Sequence, residues 1–360
     1  MEYLLTKTKF KSFSILVFVL AVSGAFSISA STPSQTEVNS SILLPVKVNG
    51  KWGYINEKGK IVIKPRFAVA RNFFEGRAAV RGDDSWFYYI DESGNRISAD
   101  QYFRFADDFS EGLAMVQGES TYDKIGFIDK TGRFVIEPIF DGFDGKPLWG
   151  FTDGLSIVSS NGKLGYIDRT GKFVIQPQYD RASHFSEGLA VVIKGGKYLF
   201  IDREGIVKID DSYATAFGFS EGFASISYDR QKFGAIDKSG KIVIEQRFDW
   251  LSSFSEGLAA ANIGMAWHGH QKSGGKWGFV DKTGSTIIEM KYDTVNPFSE
   301  GLAPVRINGK WGFIDKTGAT RIRLQFDWAE QFEMGISKVT INEKIGYIDR
   351  SGKYIWKPRK

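Results

Sequence analysis

The sequence repeats one motif nine times. The motif has the form [aromatic or apolar]-Gly-[Phe/Tyr]-Ile-Asp-x-x-Gly, and its first copy begins at Trp52. Its last glycine returns at intervals of 34 to 44 residues, at Gly59, Gly94, Gly132, Gly171, Gly205, Gly240, Gly284, Gly318 and Gly352. A unit of this length cannot bury its own apolar face, so the period indicates an array in which neighbouring units cover one another.

Each repeat reads as three β-strands. In the copy that ends at Gly318, residues 302–307 form a β-rich run, Asn308-Gly309 is a strong hairpin signal, and residues 311–314 form a second strand. Asp315 and Gly318 then make a turn, because aspartate can accept hydrogen bonds from the backbone ahead and glycine tolerates positive φ. A third strand follows, clearest in the first copy at residues 60–63.

Apolar side chains occupy both faces of these strands, so both faces must be covered by other sheets. We therefore predict an all-β protein, a tandem array of nine three-stranded antiparallel β-meander repeats. The first copy begins with its own first strand and the last copy ends on its third, and no strand is visibly shared. This favours an open superhelical, solenoid-like array, and a propeller-like closed ring is the alternative.

The recurring residues have structural explanations. The carboxylate or amide before each turn glycine is expected to form the turn, and it occupies Asn56, Asp91, Asp129, Asp168, Asp202, Asp237, Asp281, Asp315 and Asp349. The strand glycine after the tryptophan position, kept in seven copies, is expected to leave room for an aromatic ring of the neighbouring repeat. The phenylalanine of a Phe-x-[Glu/Asp]-Gly segment is expected to pack between sheets, where one buried aromatic removes roughly 150–250 Å² from water.

The segments Lys51-Trp-Gly-Tyr-Ile, Lys276-Trp-Gly-Phe-Val and Lys310-Trp-Gly-Phe-Ile resemble the bacterial WG-repeat (KWG-repeat) family. The resemblance covers about residues 42–358. It implies a β-rich repeat scaffold, often in exported or multidomain proteins, and it brings no catalytic residues to carry over.

The N-terminus differs from the rest of the chain. Three lysines precede an apolar stretch, Phe13 to Ala21, and small residues follow, which is typical of a secretory signal peptide. We therefore divide the chain into a signal peptide (1–30), a linker (31–41) and the repeat array (42–360), and expect a periplasmic or extracellular protein. An uncleaved N-terminal membrane anchor is the alternative, and membrane contact is expected only in that case.

Composition excludes several kinds of site. The chain has no cysteine, which removes disulfides, cysteine-ligated metals and thiol catalysis. Its net charge of +5 is spread along the sequence without a basic stripe, so no nucleic-acid partner is expected. Gly218-Phe-Ser220-Glu-Gly222 matches the nucleophile elbow of α/β-hydrolases, but it is one copy of the Phe-Ser-Glu-Gly segment in an all-β context. We predict no catalytic residues, no cofactor and no metal.

Candidate binding residues lie where the copies depart from the pattern, because insertions in repeat arrays map to loops. They are Trp149 in one long interval, and Trp267, His268 and His270 in the longest insertion, about residues 261–275. The predicted function is an exported, non-catalytic scaffold for protein–protein or cell-envelope interactions. The alternative is a carbohydrate-binding or glycan-acting envelope protein, which needs two carboxylates roughly 5–9.5 Å apart if it is a hydrolase.

Overall fold

The computed structural model describes residues 42–118, 124–142, 149–268 and 271–358, all within one compact unit, Glu37–Lys360. These residues form 34 β-strands in nine antiparallel groups, called sheets 1 to 9 here. No helix occurs among them, and consequently none of the length and apolarity needed to cross a membrane. The predicted all-β tandem array is confirmed.

The strands are bounded as follows. Sheet 1 contains β1 (Leu44–Val48), β2 (Lys51–Ile55) and β3 (Ile61–Phe67); sheet 2 contains β4 (Val69–Ala70), β5 (Ala78–Arg81) and β6 (Phe87–Ile90); sheet 3 contains β7 (Phe103–Ala106), β8 (Leu113–Gly118), β9 (Lys124–Asp129) and β10 (Phe134–Asp141). Sheet 4 contains β11 (Trp149–Thr152), β12 (Leu155–Ser160), β13 (Lys163–Ile167) and β14 (Phe173–Tyr179); sheet 5 contains β15 (Arg181–Ala182), β16 (Ala190–Lys194), β17 (Lys197–Ile201) and β18 (Val207–Asp210); sheet 6 contains β19 (Thr215–Ala216), β20 (Phe223–Ser227), β21 (Phe233–Asp237) and β22 (Ile242–Phe248). Sheet 7 contains β23 (Trp250–Ser255), β24 (Leu258–His268), β25 (Gln271–Asp281) and β26 (Thr286–Tyr292); sheet 8 contains β27 (Thr294–Val295), β28 (Leu302–Ile307), β29 (Lys310–Asp315) and β30 (Thr320–Phe326); sheet 9 contains β31 (Trp328–Ala329), β32 (Ile336–Ile341), β33 (Lys344–Asp349) and β34 (Tyr354–Trp356). Sheets 2, 3 and 4 are joined through two single paired positions, Phe87–Phe103 and Asp141–Ser159.

Seven sheets have four strands and not the three that were predicted, and the added strand comes first in each of them. In sheet 5 it is the two-residue strand β15, in which Arg181 pairs with Ile193 and Ala182 with Val192. This strand precedes the three predicted ones, and it is called the first strand below. A pair of residues is too short to leave a hydrophobic pattern in the sequence, so only the tertiary pairing shows it.

The strand glycine has a different role from the one predicted. A Cβ atom on Gly165 would lie 2.6 Å from the carbonyl oxygen of Ile175 and 2.8 Å from the nitrogen of Pro177. Both atoms belong to β14, which bulges opposite Gly165 and so occupies the space that a side chain would need. The expectation of a neighbouring aromatic ring is therefore wrong, because the backbone of the same sheet fills this space.

The two copies without this glycine support the explanation. Leu199 takes the position in sheet 5, where it pairs directly with Asp210 and β18 has no bulge opposite it. Tyr88 takes the position in sheet 2, where the described residues that follow β6 pair with it only at single positions, Ile90–Arg96 and Phe87–Phe103. A side chain is present where the bulge is missing.

The aspartate before each turn glycine forms the turn, as predicted. Asp315 Oδ1 accepts hydrogen bonds from the backbone nitrogens of Thr317 (2.9 Å) and Ala319 (3.1 Å) and from the Thr317 hydroxyl (2.6 Å). These bonds stabilise the carboxylate and lower the pKa of Asp315 to about 2. Across the described residues, no group of three or more His, Asp or Glu side chains is placed to hold a metal ion.

Aromatic rings pack between sheets, as predicted. At seven junctions a ring of the third strand, or of β2 in sheet 1, lies 4.7 to 5.2 Å, centroid to centroid, from the phenylalanine at or just after the first strand of the next sheet. Where the third-strand ring is tyrosine, its hydroxyl also donates to the next sheet, as from Tyr166 to the carbonyl oxygen of Ser183 at 2.7 Å. The ring pairs are Tyr54–Phe73, Tyr89–Phe109, Phe127–Phe151, Tyr166–Phe185, Phe200–Phe219, Phe279–Phe298 and Phe313–Phe332.

Charged residues of the repeat connect neighbouring sheets. The carboxylate of Glu256 in sheet 7 accepts a hydrogen bond from the backbone nitrogen of Gly301 in sheet 8 (3.1 Å) and pairs with Lys316 Nζ (3.1 Å). The lysine that precedes the tryptophan position pairs with the aspartate that follows the last strand of the same sheet, as Lys276 does with Asp293 at 2.7 Å. The other oxygen of Asp293 accepts from the Asn308 nitrogen of the next sheet, also at 2.7 Å. The recurring charges are thus used inside the array.

The two ends of the array meet. Apolar residues of sheets 1 and 9 form one buried cluster that includes Val46, Ile55 and Trp356. Tyr347 donates from its hydroxyl to the carbonyl oxygen of Pro45 at 2.8 Å, the bond by which tyrosines join successive sheets elsewhere. These contacts correct the favoured open arrangement to its alternative, a closed ring.

The physical reason is that sheet 1 closes the ring without a first strand among the described residues. At other junctions the tyrosine hydroxyl bonds to a residue at the end of the first strand, whereas Tyr347 bonds to β1, the second-strand equivalent. The first and last copies share no strand, which favoured an open array in the sequence analysis, but this does not prevent ring closure.

Candidate functional site

The candidate binding residues lie at the edge of what the structure describes. Trp149 is the first residue of β11, and Trp267 and His268 are the last residues of β24, but their side chains lie outside the described residues. His270 lies outside the described residues altogether. Their role in binding stays a prediction, and the site must be built from the backbone that presents them and the side chains around it.

The longest insertion forms strands and not the loop that was expected. β24 and β25 have 11 residues each, whereas the corresponding strands of sheet 8 have six. Their pairing continues past Ile263–Lys276 through Met265–Gly274 to His268–Gln271. The hairpin therefore extends beyond the level at which the neighbouring hairpin turns, by four paired positions or about 13 Å at 3.4 Å per residue. We call residues 265–274 the arm.

The base of the arm is a glycine-rich bend. Gly264, Gly274 and Gly275 have φ angles of +90°, +86° and +67°, which strongly favour glycine. Asp249 Oδ2 accepts hydrogen bonds from the backbone nitrogens of Gly264 (2.6 Å) and Met265 (3.2 Å), and its Oδ1 pairs with Lys232 at 2.8 Å. The bend thus occurs where an ordinary repeat makes its two-residue turn, and a buried carboxylate fixes it.

Several side chains near the base are exposed. Ile263 is 50% exposed, and Ala266 and Ser273 on the two strands of the arm are exposed as well. Asn262, just below, is fully buried, and its Nδ2 atom donates to the Gly274 carbonyl oxygen at 3.4 Å. The arm therefore projects from a buried anchor, with exposed apolar surface at its base.

A second cluster lies between sheets 2 and 3, and sequence reasoning missed it. Arg71 Nη1 is 3.4 Å from Asp107 Oδ1, and the neighbouring Asp108 has a buried Oδ1 atom without a hydrogen-bond partner. Burial is the main cause that raises the pKa of Asp108 to about 6; Arg71 opposes the increase and the nearby Asp107 carboxylate adds to it. A signal was present, since Asp108 stands directly before the repeat phenylalanine, where the other copies have Asn72, Gly150, His184, Gly218, Ser253, Pro297 and Gln331.

The sequence that imitates a nucleophile elbow is part of the repeat. The Ser220 hydroxyl donates to the Phe254 carbonyl oxygen of the next sheet at 2.7 Å. Ser186 and Ser299 make the same bond to Phe219 and Phe332, also at 2.7 Å. Ser220 therefore has the same structural contact as its counterparts, as the repeat predicts.

An open depression of about 630 Å³ lies between sheets 8 and 9. Its arginines are engaged within the protein: Arg321 pairs with Asp315 at 2.5 Å, and Arg350 donates to the Glu300 carbonyl oxygen at 2.6 Å. Leu302 and Ser351 also line it. Because its charged groups already serve the array, it is a weaker candidate than the arm.

Comparisons with known proteins agree with the repeat pattern. A family model described as "WG containing repeat" matches residues 52–86, 125–163, 165–198, 233–264, 277–311 and 311–344, together more than half of the chain. The search of curated proteins finds no match.

Solved structures share the architecture at low sequence identity. One, titled "Crystal structure of the eukaryotic initiation factor", is 12% identical, covers 89% of this chain and 95% of its own, and has a TM-score of 0.60. Another, BamB from Moraxella catarrhalis, is 12% identical over 86% of this chain and 92% of its own, with a TM-score of 0.42. At this identity the first likeness shows the fold alone.

Proposed function

Because the chain belongs to the family of proteins with WG-containing repeats, we propose that it is an exported, non-catalytic scaffold that binds a protein partner of the cell envelope through the arm of sheet 7. Export is inferred from the N-terminal segment, whose lysines, apolar stretch and small residues are typical of a signal peptide. The all-β ring supplies a rigid frame, and the arm supplies the element that differs from the repeat.

The observation that carries this proposal is the extended pairing of β24 with β25. A two-stranded hairpin in water is at best marginally stable by itself, so an arm that packs only on its own strands gains little stability for the fold. Within the part of the chain that the structure describes, β23 and β26 pair with β24 and β25 only as far as Asn262 and Trp277, so the outer backbone edges of the arm have no strand partner that would prevent another protein segment from extending them. Trp267, at its distal end, is a residue type enriched in the energetic centres of protein interfaces.

The rest of the repeat is less suited to recognition. The recurring Asp, Glu, Lys and Ser side chains hold turns or join sheets, as Asp315, Glu256 and Ser220 illustrate. Residues with such contacts cannot bind a ligand without weakening the array. Binding is therefore assigned to the arm, where the chain departs from the pattern.

A glycan-acting role is the second candidate, and one observation favours it. Asp108, with a pKa of about 6, would be protonated often enough near neutral pH to donate a proton to a leaving group, and Asp107 is adjacent. The engagement of Asp107 with Arg71 argues for a structural role instead.

The experiment compares the full chain with a variant lacking residues 265–274. This deletion joins Gly264 to Gly275 and leaves Ile263-Gly-Gly-Lys276, which resembles the natural Lys194-Gly-Gly-Lys197 turn of sheet 5. The matched control is Asn308→Gly, which gives the adjacent sheet 8 hairpin the same Gly-Gly turn and leaves the arm intact. Both variants should keep the wild-type circular dichroism spectrum and melting temperature.

Envelope extract is passed over each immobilised protein, and each captured protein is identified by mass spectrometry, purified and titrated against all three chains. We expect a partner that binds wild type and Asn308→Gly equally and binds the deletion at least tenfold more weakly. Equal binding to all three chains contradicts the assignment to the arm. A glycan array and a reducing-end assay are run beside it, and arm-independent glycan binding or hydrolysis would favour the second candidate.

A further inference from the structure

Sheet 2, on one side of the joint with sheet 3, lacks the regular last strand of the other sheets. Those eight sheets end in a strand of three to eight residues, whereas in sheet 2 the described residues pair with β6 at this place only through the Ile90–Arg96 bridge, the Phe87–Phe103 pair and the bond from the Ile97 nitrogen to the Tyr89 carbonyl oxygen. Side chains fill the space: the Arg96 guanidinium carbon lies 4.0 Å from the ring centroid of Tyr88 and 4.4 Å from that of Tyr102. Stacked side chains thus stand where other sheets have part of a regular strand, so the sheet 2 side of this joint is expected to open at lower cost than the other joints.

The same joint contains the cluster of Arg71, Asp107 and Asp108. Arg71 follows the first strand of sheet 2, and the two aspartates follow the first strand of sheet 3. Asp107 is paired with Arg71, while the Oδ1 atom of Asp108 is buried and has no hydrogen-bond partner among the described residues. An ionised carboxylate in such a place has lost its hydration without gaining enough hydrogen bonds or ion pairs to compensate. Its charged form therefore favours any state that exposes it to water again.

The groups that face Asp108 leave its charge uncompensated. Arg71 attracts it and Asp107 repels it, so one cation serves two carboxylates. Tyr54 from sheet 1 and Tyr89 from sheet 2 are the other titratable groups nearby. Burial raises the pKa of both tyrosines above the usual value, so both hydroxyls stay protonated, and each donates to a backbone carbonyl oxygen, that of Arg71 or of Asp107.

We propose that the joint between sheets 2 and 3 is a pH-responsive element of the ring, closed when Asp108 is protonated and loosened when Asp108 ionises. No other copy has a carboxylate at this position, and burial lowers the pKa of His184, whose ionisation would act in the opposite direction, so closure by acid is confined to one place in the array. It would let the protein tighten in an acidic compartment and become more open at neutral pH.

The direction and size follow from linkage. Asp108 has a pKa of about 6 in the closed joint and an ordinary value of 3.8 when exposed, so the closed form binds its proton more tightly. Protonation stabilises closure as the pH falls through 6, and ionisation removes this stabilisation as the pH rises. With these two pKa values, the opening equilibrium constant increases up to about tenfold between pH 5 and pH 7.5.

Hydrogen exchange of the full chain, read by mass spectrometry at pH 5 and pH 7.5 and corrected for intrinsic exchange rates, tests this directly. Peptides covering residues 78–90 and 103–116 should show an opening equilibrium up to about tenfold larger at pH 7.5, and peptides from the joint of sheets 5 and 6 should not change. Asp108→Asn should remove most of the difference, since the amide has a similar size and does not titrate; what remains is the contribution of Asp107, whose pKa is also raised by burial.

A second variant, Ser253→Asp, places a carboxylate at the equivalent position between sheets 6 and 7. It should transfer a pH-dependent opening to that joint while leaving the joint of sheets 2 and 3 unchanged. The proposal is overturned if the wild-type protein shows no local pH dependence, or if Asp108→Asn retains it. It is also overturned if the pH-dependent opening appears first between sheets 1 and 9.

Discussion

Replacing Gly312 by alanine should destabilise the ring by more than any ordinary glycine-to-alanine change. A Cβ atom at this position would lie 2.5 Å from the carbonyl oxygen of Ile322 and 2.7 Å from both the carbonyl carbon of Arg323 and the nitrogen of Leu324. All three atoms belong to the backbone of β30, which bulges opposite Gly312. The φ angle of Gly312 is not among the positive ones, so the cost arises from this contact and not from backbone strain.

The magnitude follows from what must move. Overpacking a well-packed interior costs about 1–3 kcal/mol, and the upper end applies because a main-chain bulge cannot move aside as a flexible side chain can. Alanine in a strand is otherwise better than glycine by roughly 0.5–1 kcal/mol. The expected net loss in the free energy of unfolding is therefore about 2–2.5 kcal/mol.

The matched control is Gly218→Ala. Gly218 also lacks a positive φ, and a Cβ atom there would meet no atom within 4 Å, so this change should be neutral or slightly stabilising. Urea unfolding of the three proteins, followed by tryptophan fluorescence and compared by midpoint, gives the difference. If Gly312→Ala unfolds at the same urea concentration as Gly218→Ala, the bulge does not explain the strand glycine.

Two further predictions concern ring closure and acid stability. Tyr347→Phe removes the hydrogen bond to Pro45 and should lower the free energy of unfolding by about 1 kcal/mol. Tyr166→Phe should have the same effect at an internal junction. Ring closure would be contradicted if Tyr347→Phe left the free energy of unfolding unchanged while Tyr166→Phe lowered it. Turn aspartates such as Asp168, Asp281 and Asp315 have lowered pKa values, about 2 for Asp315. Their ionised forms therefore stabilise the fold above the ordinary value of 3.8, and this contribution is lost as the pH falls towards 2. The urea midpoint should therefore decrease between pH 4 and pH 2. Asp315→Asn should weaken this dependence and keep the turn, because Asn56 accepts the equivalent backbone bonds from Lys58 and Lys60 in the first copy. A midpoint independent of pH in this range would refute the assignment.

The local chemistry of the repeat was largely predictable from sequence. The turn aspartates, the positive-φ glycines and the aromatic rings between sheets all appear where the pattern places them. Such features depend on contacts within one repeat or between two adjacent copies. Nine copies of the same arrangement make these contacts readable.

The candidate site was less predictable. The sequence located the longest insertion but predicted a loop, because glycines and histidines in an interval of irregular length give no strand pattern. Pairing of β24 with β25 is decided across the hairpin, residue by residue. The cluster at Asp108 was missed because Arg71 is 37 positions away in the sequence and belongs to another sheet.

The sequence by itself determined that this chain is an array of nine similar β-units and determined how each unit turns, since a repeated period and turn chemistry are local properties. The tertiary structure alone decided that the ends meet, that most units include a two-residue first strand, and that the strand glycine faces a backbone bulge. Each of these depends on which segments pack together, and Tyr347 contacts Pro45 across 302 positions of the chain. Contacts of that separation are set by the accumulated geometry of all nine sheets, which no single repeat contains.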